Sequence, residues 1–272
     1  MNTLSRSYAG ALPRRGAKGH QPSRMPPAGD WLSAIKARAA LVAEAQPSGI
    51  HGPPLRHLLG ELQFLTRPLK RKVAGPVIRQ SANPRVVMLL PGFATHPVRL
   101  RRLAQHLEMA GHTVKNWGLG FNMGPSPENF DIVTRRVLDL HRRYGEQVVL
   151  VGWSLGGIFA REVAKRYPEA IAKVVTMGSP FSGNPKANNV WRIYHLITGH
   201  SVEAPPVVAD ISAKPPVPTV ALWSPRDGIV SPRSSCGRPG ERDKAVALRC
   251  GHMGFAYSDE AIEAVLAELE NI

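Results

Sequence analysis

Cysteine is scarce in this chain: Cys236 and Cys250 are the only two among 272 residues. Two thiols do not make a disulfide framework, and with His252 they fall short of a structural zinc set. Long apolar runs are missing as well. No stretch reaches the 18 residues expected of a spanning helix. The N-terminus is basic but lacks the apolar core of a secretory signal, so the expected setting is cytoplasmic and reducing. Zinc-finger, RNP-like and Walker patterns are absent, which leaves no specific nucleic-acid motif. No internal repeat is visible. Acid is in short supply: 20 Asp and Glu face 35 Lys and Arg, for a net charge of +15.

That charge is unevenly placed. Residues 1–82 carry 13 Lys and Arg against 3 Asp and Glu, whereas residues 83–272 carry 22 against 17. The excess belongs to an extension, not to the body of the chain. Residues 1–29 read as a disordered basic tail and 30–82 as a helical basic extension, leaving 83–272 as the main domain. Trp31 to Gln46 is a plausible helix with Asp30 as its N-cap. Leu55 to Val73 mixes leucines with Arg and Lys, and Pro68 ends or kinks it. Such a helix packs its apolar face on its own domain or lies on an anionic membrane surface, the first being the commoner use. A basic balance also serves solubility alone.

From Arg85 onward strands and helices alternate. Val86–Leu90 is a buried strand, His96–Ala110 a helix, Thr113–Trp117 a strand and Pro127–Tyr144 a helix. Strands at 148–151 and 171–177 flank a further helix. Val217–Trp223 and Ala245–Leu248 read as strands, and Asp259–Glu270 closes the chain as an amphipathic helix. This order implies an α/β fold with a mostly parallel sheet covered on both faces.

Within that order, Gly152-Trp153-Ser154-Leu155-Gly156 is a G-x-S-x-G motif. It follows the apolar run Val148–Val151 and precedes the helical stretch Gly157–Tyr167. A strand, a sharp turn and a helix are the mechanical setting of a nucleophile elbow. The motif alone is weak; its setting is what gives it force.

An elbow serine needs a base and a carboxylate to orient that base. Of ten histidines, only His195, His200 and His252 follow Ser154. His252 lies in a Gly-rich loop after Ala245–Leu248, where an imidazole can project. The carboxylate is best assigned to Asp227, in the turn Ser224–Gly228 after Val217–Trp223. Asp210, Glu241 and Asp243 are weaker candidates, because none follows a comparable strand so closely. Pro91-Gly92-Phe93 ends the first strand, and its loop should face the serine. The backbone N–H groups of Phe93 and Leu155 are the expected oxyanion hole, and one such donor can be worth about 3 kcal/mol.

From about Arg85 to its end, the chain resembles the α/β-hydrolases. Pro91–Phe93, Gly152–Gly156, Asp227 and His252 fall on that family's functional positions. Val174–Gly183 is similar to the segment after the post-elbow strand of bacterial lipases and lipase-like esterases. Where many relatives have His-Gly, this chain has Pro91-Gly92; the glycine is the part that loop geometry needs. The resemblance implies a cofactor-independent serine hydrolase of carboxylic esters, acting on a small acyl ester or lipid through an acyl-enzyme. An acyltransferase or thioesterase would use the same triad, and a non-catalytic binding protein would have no need of all three residues. It further implies a small cap at residues 181–216, with Trp191–Ile197 as its helix; Phe93, Trp153, Leu155 and Phe181 are candidate walls of the cleft, although each such residue is more often ordinary core. Some bacterial lipases carry a structural calcium site and a disulfide near this region. No carboxylate cluster surrounds His252 to suggest the calcium site, so no metal is expected. The pairing of Cys236 with Cys250 stays open.

Overall fold

The computed structural model describes residues 30–66, 75–76, 78–204, 206–207 and 209–272. Two helices come first, α1 (Asp30–Val42) and α2 (Leu55–Thr66). The main body follows as β1 (Val86–Leu90), α3 (Arg101–Met109), β2 (Thr113–Asn116), α4 (Pro127–Tyr144), β3 (Val148–Trp153), α5 (Leu155–Arg166) and β4 (Ile171–Met177). It continues with α6 (Trp191–Thr198), β5 (Thr219–Trp223), α7 (Pro232–Cys236), β6 (Lys244–Ala247) and α8 (Asp259–Glu270).

The six strands form one sheet in the order β2-β1-β3-β4-β5-β6, and every adjacent pair is parallel. Parallel strands need crossover helices, and these cover both faces. Period-two alternation divides the core accordingly. Val87, Leu89, Val149, Val151 and Val175 face α3 and α8, packing with Leu103, Leu107, Ile262 and Val265. Val86, Met88, Leu90, Leu150 and Val174 face the other way, with Phe130, Val133 and Val137 of α4 and Phe159 and Val163 of α5. The chain steps outward from β1 to β2 and then returns to β3. The loops after β1 and β3 therefore diverge at a topological switch point, the usual place for a ligand in an open α/β sheet.

Helix ends follow local chemistry. Ser126 caps α4 by accepting from the Asn129 N–H, Pro127 opens the helix and Gly145 closes it at φ 68°. Ser258 caps α8 through the Ala261 N–H.

Several boundaries differ from the sequence expectation. The first helix stops at Val42 rather than Gln46, and Asp30 lies inside its first turn instead of capping it. Alanine-rich sequence favours helix but cannot say where tertiary support ends. The helix expected over 96–110 begins as a 3₁₀ turn, Pro97–Leu100, and becomes α-helical at Arg101. The last strand is shifted one residue back, to Lys244–Ala247. Of the long helix expected over 55–73, Leu55–Thr66 is helical; residues 67–74, with Pro68, lie outside the described residues, as does the basic tail 1–29.

The stretch between β4 and β5 carries α6, the expected cap helix. The N-terminal extension braces it. Lys186 pairs with Glu44 at 2.9 Å and Glu203 at 2.8 Å. Leu41 offers its carbonyl to His195 Nδ1 at 2.9 Å. The return of the cap is fastened by Arg161, whose buried guanidinium donates to the carbonyls of Ile211, Ser212, Ala213 and Glu241 and lies over the Phe181 ring. Burial lowers the Arg161 pKa to about 10, so the cation is retained at neutral pH.

Candidate active site

Ser154 occupies the turn between β3 and α5 with φ 53° and ψ −121°. A non-glycine residue at positive φ costs about 1–3 kcal/mol and persists only where its surroundings enforce it. The Ser154 N–H donates to the Met177 carbonyl at 2.8 Å, and the Ser154 carbonyl accepts from Gly157 at 3.0 Å. The turn is tight because strand and helix nearly touch. A Cβ on Gly156 would stand 2.3 Å from the Leu90 carbonyl oxygen.

His252 and Asp227 meet. The Nδ1–H of His252 donates to Asp227 Oδ2 at 2.7 Å, and both side chains are buried. Asp227 Oδ1 accepts from the Ile229 and Val230 N–H groups, each at 2.8 Å. With Nδ1 carrying the proton toward the carboxylate, neutral His252 offers Nε2 as an acceptor. The Trp153 indole N–H donates to the His252 carbonyl at 3.2 Å, which ties the histidine loop to the residue before Ser154. Burial alone would discourage charge on this imidazole. Asp227, by charge and by hydrogen bond, and then Glu61, by charge, outweigh it, so the His252 pKa is raised above its ordinary value.

The other candidate acids are engaged elsewhere. Asp210 accepts from the Ser212 and Ala213 backbones, Asp243 holds Lys214 and the Thr219 N–H, and Glu241 accepts from the Arg238 N–H. His195 is a satisfied core residue of the cap, accepting from the Val202 N–H at 2.9 Å.

The loop after β1 lies against the elbow. A Cβ on Gly92 would stand 3.2 Å from Ser154 Cβ, a tight contact that glycine avoids. Among the described residues, the N–H groups of Phe93 and Leu155 make no hydrogen bond within the protein. One residue braces this loop from several directions. Asn122, fully buried, donates through Nδ2 to the Pro91 carbonyl at 2.7 Å. Its own carbonyl accepts from Ala94 at 2.7 Å, and its N–H donates to Thr95 at 3.0 Å.

Ser154 opens onto a largely apolar cavity of about 140 Å³. Phe93, Leu155, Ile158, Phe159, Trp191 and Tyr194 are among its walls. Leu155, Ile158 and Phe159 lie on one face of α5, while Trp191 and Tyr194 come from the cap helix. Of the walls expected from sequence, Phe93 and Leu155 are there. Trp153 and Phe181 are not: Trp153 packs beside His252, and Phe181 is core beneath Arg161.

Sequence reasoning missed Asn122 and Glu61. Asn122 sits between glycines, Gly120 and Gly124, and reads as an ordinary turn. Glu61, on α2, accepts from the backbone N–H groups of Gly228, His252 and Met253 at 3.1, 2.5 and 3.0 Å. One signal pointed to it: it is one of only three acidic residues in the basic stretch 1–82. Cys236 and Cys250 are both free thiols. Among the described residues, no group of three or more His, Cys, Asp and Glu side chains is placed to hold a metal. None of the described helices is long and apolar enough to cross a membrane.

The parallel six-stranded sheet with helices on both faces is that of an α/β-hydrolase fold, and the α/β hydrolase fold family matches residues 85–196. The chain is thus an α/β-hydrolase-fold protein similar to esterases and lipases. The pimeloyl-[acyl-carrier protein] methyl ester esterase of Klebsiella pneumoniae (strain 342) is 35% identical over 78 residues, which span 29% of this chain and 28% of that protein's length. In structure, a lipase-esterase related protein from Clostridium acetobutylicum ATCC 824 aligns over 71% of this chain and 96% of its own, with a TM-score of 0.55 at 14% identity. The monoacylglycerol lipase of Paleococcus ferrophilus has the same coverage, with a TM-score of 0.50 at 17% identity. At these identities the structural likeness concerns the fold.

Proposed function

We propose that the protein is a serine hydrolase of carboxylic esters, with residues 83–272 as its catalytic domain. The observations that carry the reading are the buried 2.7 Å bond from His252 Nδ1 to Asp227 and the positive φ of Ser154 in the tight turn after β3. Ser154 Oγ attacks the ester carbonyl while His252 Nε2 takes its proton. Asp227 keeps the imidazole in the required tautomer and stabilises its cation. The oxyanion is received by the N–H groups of Phe93 and Leu155. His252 then protonates the departing alcohol, and the acyl group stays on Ser154. A water molecule, deprotonated by His252, attacks the acyl-enzyme; Ser154 leaves with the proton and the acid is released.

The substrate is a small acyl ester or lipid, with the acyl chain in the apolar cavity along α5. At about 140 Å³ the cavity is close to the roughly 150 Å³ that accommodates benzene, which favours short acyl chains. The name of the Klebsiella relative includes a methyl ester, so acyl methyl esters belong in the substrate panel. No cofactor enters this mechanism. The test is labelling with a fluorescent fluorophosphonate beside Ser154→Ala, followed by an ester chain-length series. Ser154-dependent labelling and ester turnover are expected. Ester turnover undiminished in Ser154→Ala would overturn the assignment.

We also propose that the basic extension brings the protein to anionic membrane surfaces. Flotation of the full chain with anionic and with zwitterionic vesicles checks it, and equal absence of binding would reject it.

A further inference from the structure

Glu61 lies far from the sheet in sequence but against the loops of Asp227 and His252 in space. Its carboxylate is nearly buried. Oε1 accepts from the His252 N–H at 2.5 Å and from the Gly228 N–H at 3.1 Å; Oε2 accepts from the Met253 N–H at 3.0 Å. Gly228 directly follows Asp227. One carboxylate therefore grips the loop that carries the candidate acid and the loop that carries the candidate base.

Both loops are shaped to admit it. A Cβ on Gly251 would lie 2.6 Å from Glu61 Oε1, and one on Gly228 would lie 2.4 Å from the His57 carbonyl oxygen on α2. Close backbone approach is what glycine allows at such points. The three N–H groups would otherwise be buried without partners at the ends of loops that no strand ladder supports. His252 is then fixed at three points: its N–H by Glu61, its carbonyl by Trp153 and its imidazole by Asp227.

We propose that Glu61 is a positioning residue for His252, so that the N-terminal extension supplies part of the working geometry of the site. This rests on the catalytic reading of Ser154, Asp227 and His252. The carboxylate has a second effect through its charge. The charged groups that bear on the His252 imidazole are Asp227 and Glu61, and both favour the imidazolium that forms when Ser154 gives up its proton. Glu61 therefore holds the base in place and supports the state it passes through, without touching substrate.

The experiment compares the full-length wild type with Glu61→Gln and Glu61→Asp, each assayed below its own melting temperature. Fluorophosphonate labelling, kcat and KM for a p-nitrophenyl acyl ester, and the pH profile of kcat/KM are measured. Glu61→Gln keeps the size but removes the charge and turns an amide toward backbone donors. Its kcat is expected to fall tenfold or more, by roughly the loss that a misplaced catalytic group brings, with KM within about twofold of wild type. Its acid limb moves to lower pH. Glu61→Asp keeps the charge and shortens the reach, so it restores the limb but not kcat. A folded Glu61→Gln with wild-type kcat and an unmoved limb would overturn the proposal. So would unfolding of both variants, which would assign Glu61 to stability alone. A wild-type protein that is not labelled at Ser154 would overturn the catalytic reading itself, and the role of Glu61 with it.

Discussion

The side-chain amide of Asn122 donates to the carbonyl of Pro91 at 2.7 Å, and both residues are buried. The bond holds the loop whose next residues, Gly92 and Phe93, face Ser154. Asn122→Ala leaves the Pro91 carbonyl without this partner, and a buried polar group so orphaned costs about 1–3 kcal/mol. On the proposed mechanism, in which the Phe93 N–H is an oxyanion donor, the loss should also show in turnover. Urea denaturation and kcat on the same sample check this. A fall in stability with unchanged kcat would separate Asn122 from the oxyanion loop.

Asp227 sets the protonation behaviour of His252. On the proposed mechanism the imidazole must be neutral to accept the Ser154 proton, and its pKa is raised above the ordinary value. Activity should therefore be lost on the acid side at a higher pH than the roughly 6.5 of a free imidazole. In Asp227→Asn the limb moves down and kcat drops, by on the order of 10⁴-fold if the histidine takes the wrong tautomer. The raised pKa has a stability consequence of its own sign. Its contribution is full below the unfolded-state pKa and is lost as pH rises through the folded-state value. Asp227→Asn should therefore destabilise more at about pH 5 than at about pH 9, as thermal melts would record.

Much of the geometry of the candidate site was legible in the sequence, and the reason is local chemistry. An elbow needs its glycines within two residues of the serine, so the motif is continuous in the chain. Asp227 and His252 each lie in the turn or loop that follows a strand, and in a parallel sheet all strand ends of one polarity gather at one edge. Chain order and strand position were thus enough to propose the pair that the fold brings to 2.7 Å. Asn122 and Glu61 were not legible in this way. Each acts on backbone groups, which carry no residue-type signature, and each reaches its partners only through tertiary packing. Trp153, for which ordinary core was the commoner expectation, is buried beside His252 and does not line the cavity.

Cys250 should be a poor nucleophile in the folded protein. Burial, with Glu260 and Asp227 adding negative charge nearby, pushes its thiol pKa up to about 12, so little thiolate exists at neutral pH. Iodoacetamide at about pH 8 is expected to leave Cys250 unmodified until the protein is unfolded, which peptide mass spectrometry would show. Because both thiols are free, dithiothreitol should leave the melting temperature unchanged.

The cavity beside Ser154 should select among acyl chains by length. Ser154, Leu155, Ile158 and Phe159 all line the cavity, so on the proposed mechanism an acyl group on Ser154 would run along α5, with Ile158 one helical turn from that serine. Ile158 is only half-buried, and enlarging it intrudes on the cavity more than on the core. Ile158→Trp should leave turnover of an acetyl ester within about twofold of wild type, because an acetyl group ends before reaching that turn. For a hexanoyl ester, kcat/KM should fall by about tenfold or more; excluding even one methylene from an apolar pocket is worth about 1–3 kcal/mol. An equal loss for both esters would mean that the substitution disturbs the elbow itself. An unchanged chain-length profile would place the acyl chain outside this cavity, leaving the open side of the cap helix to receive it.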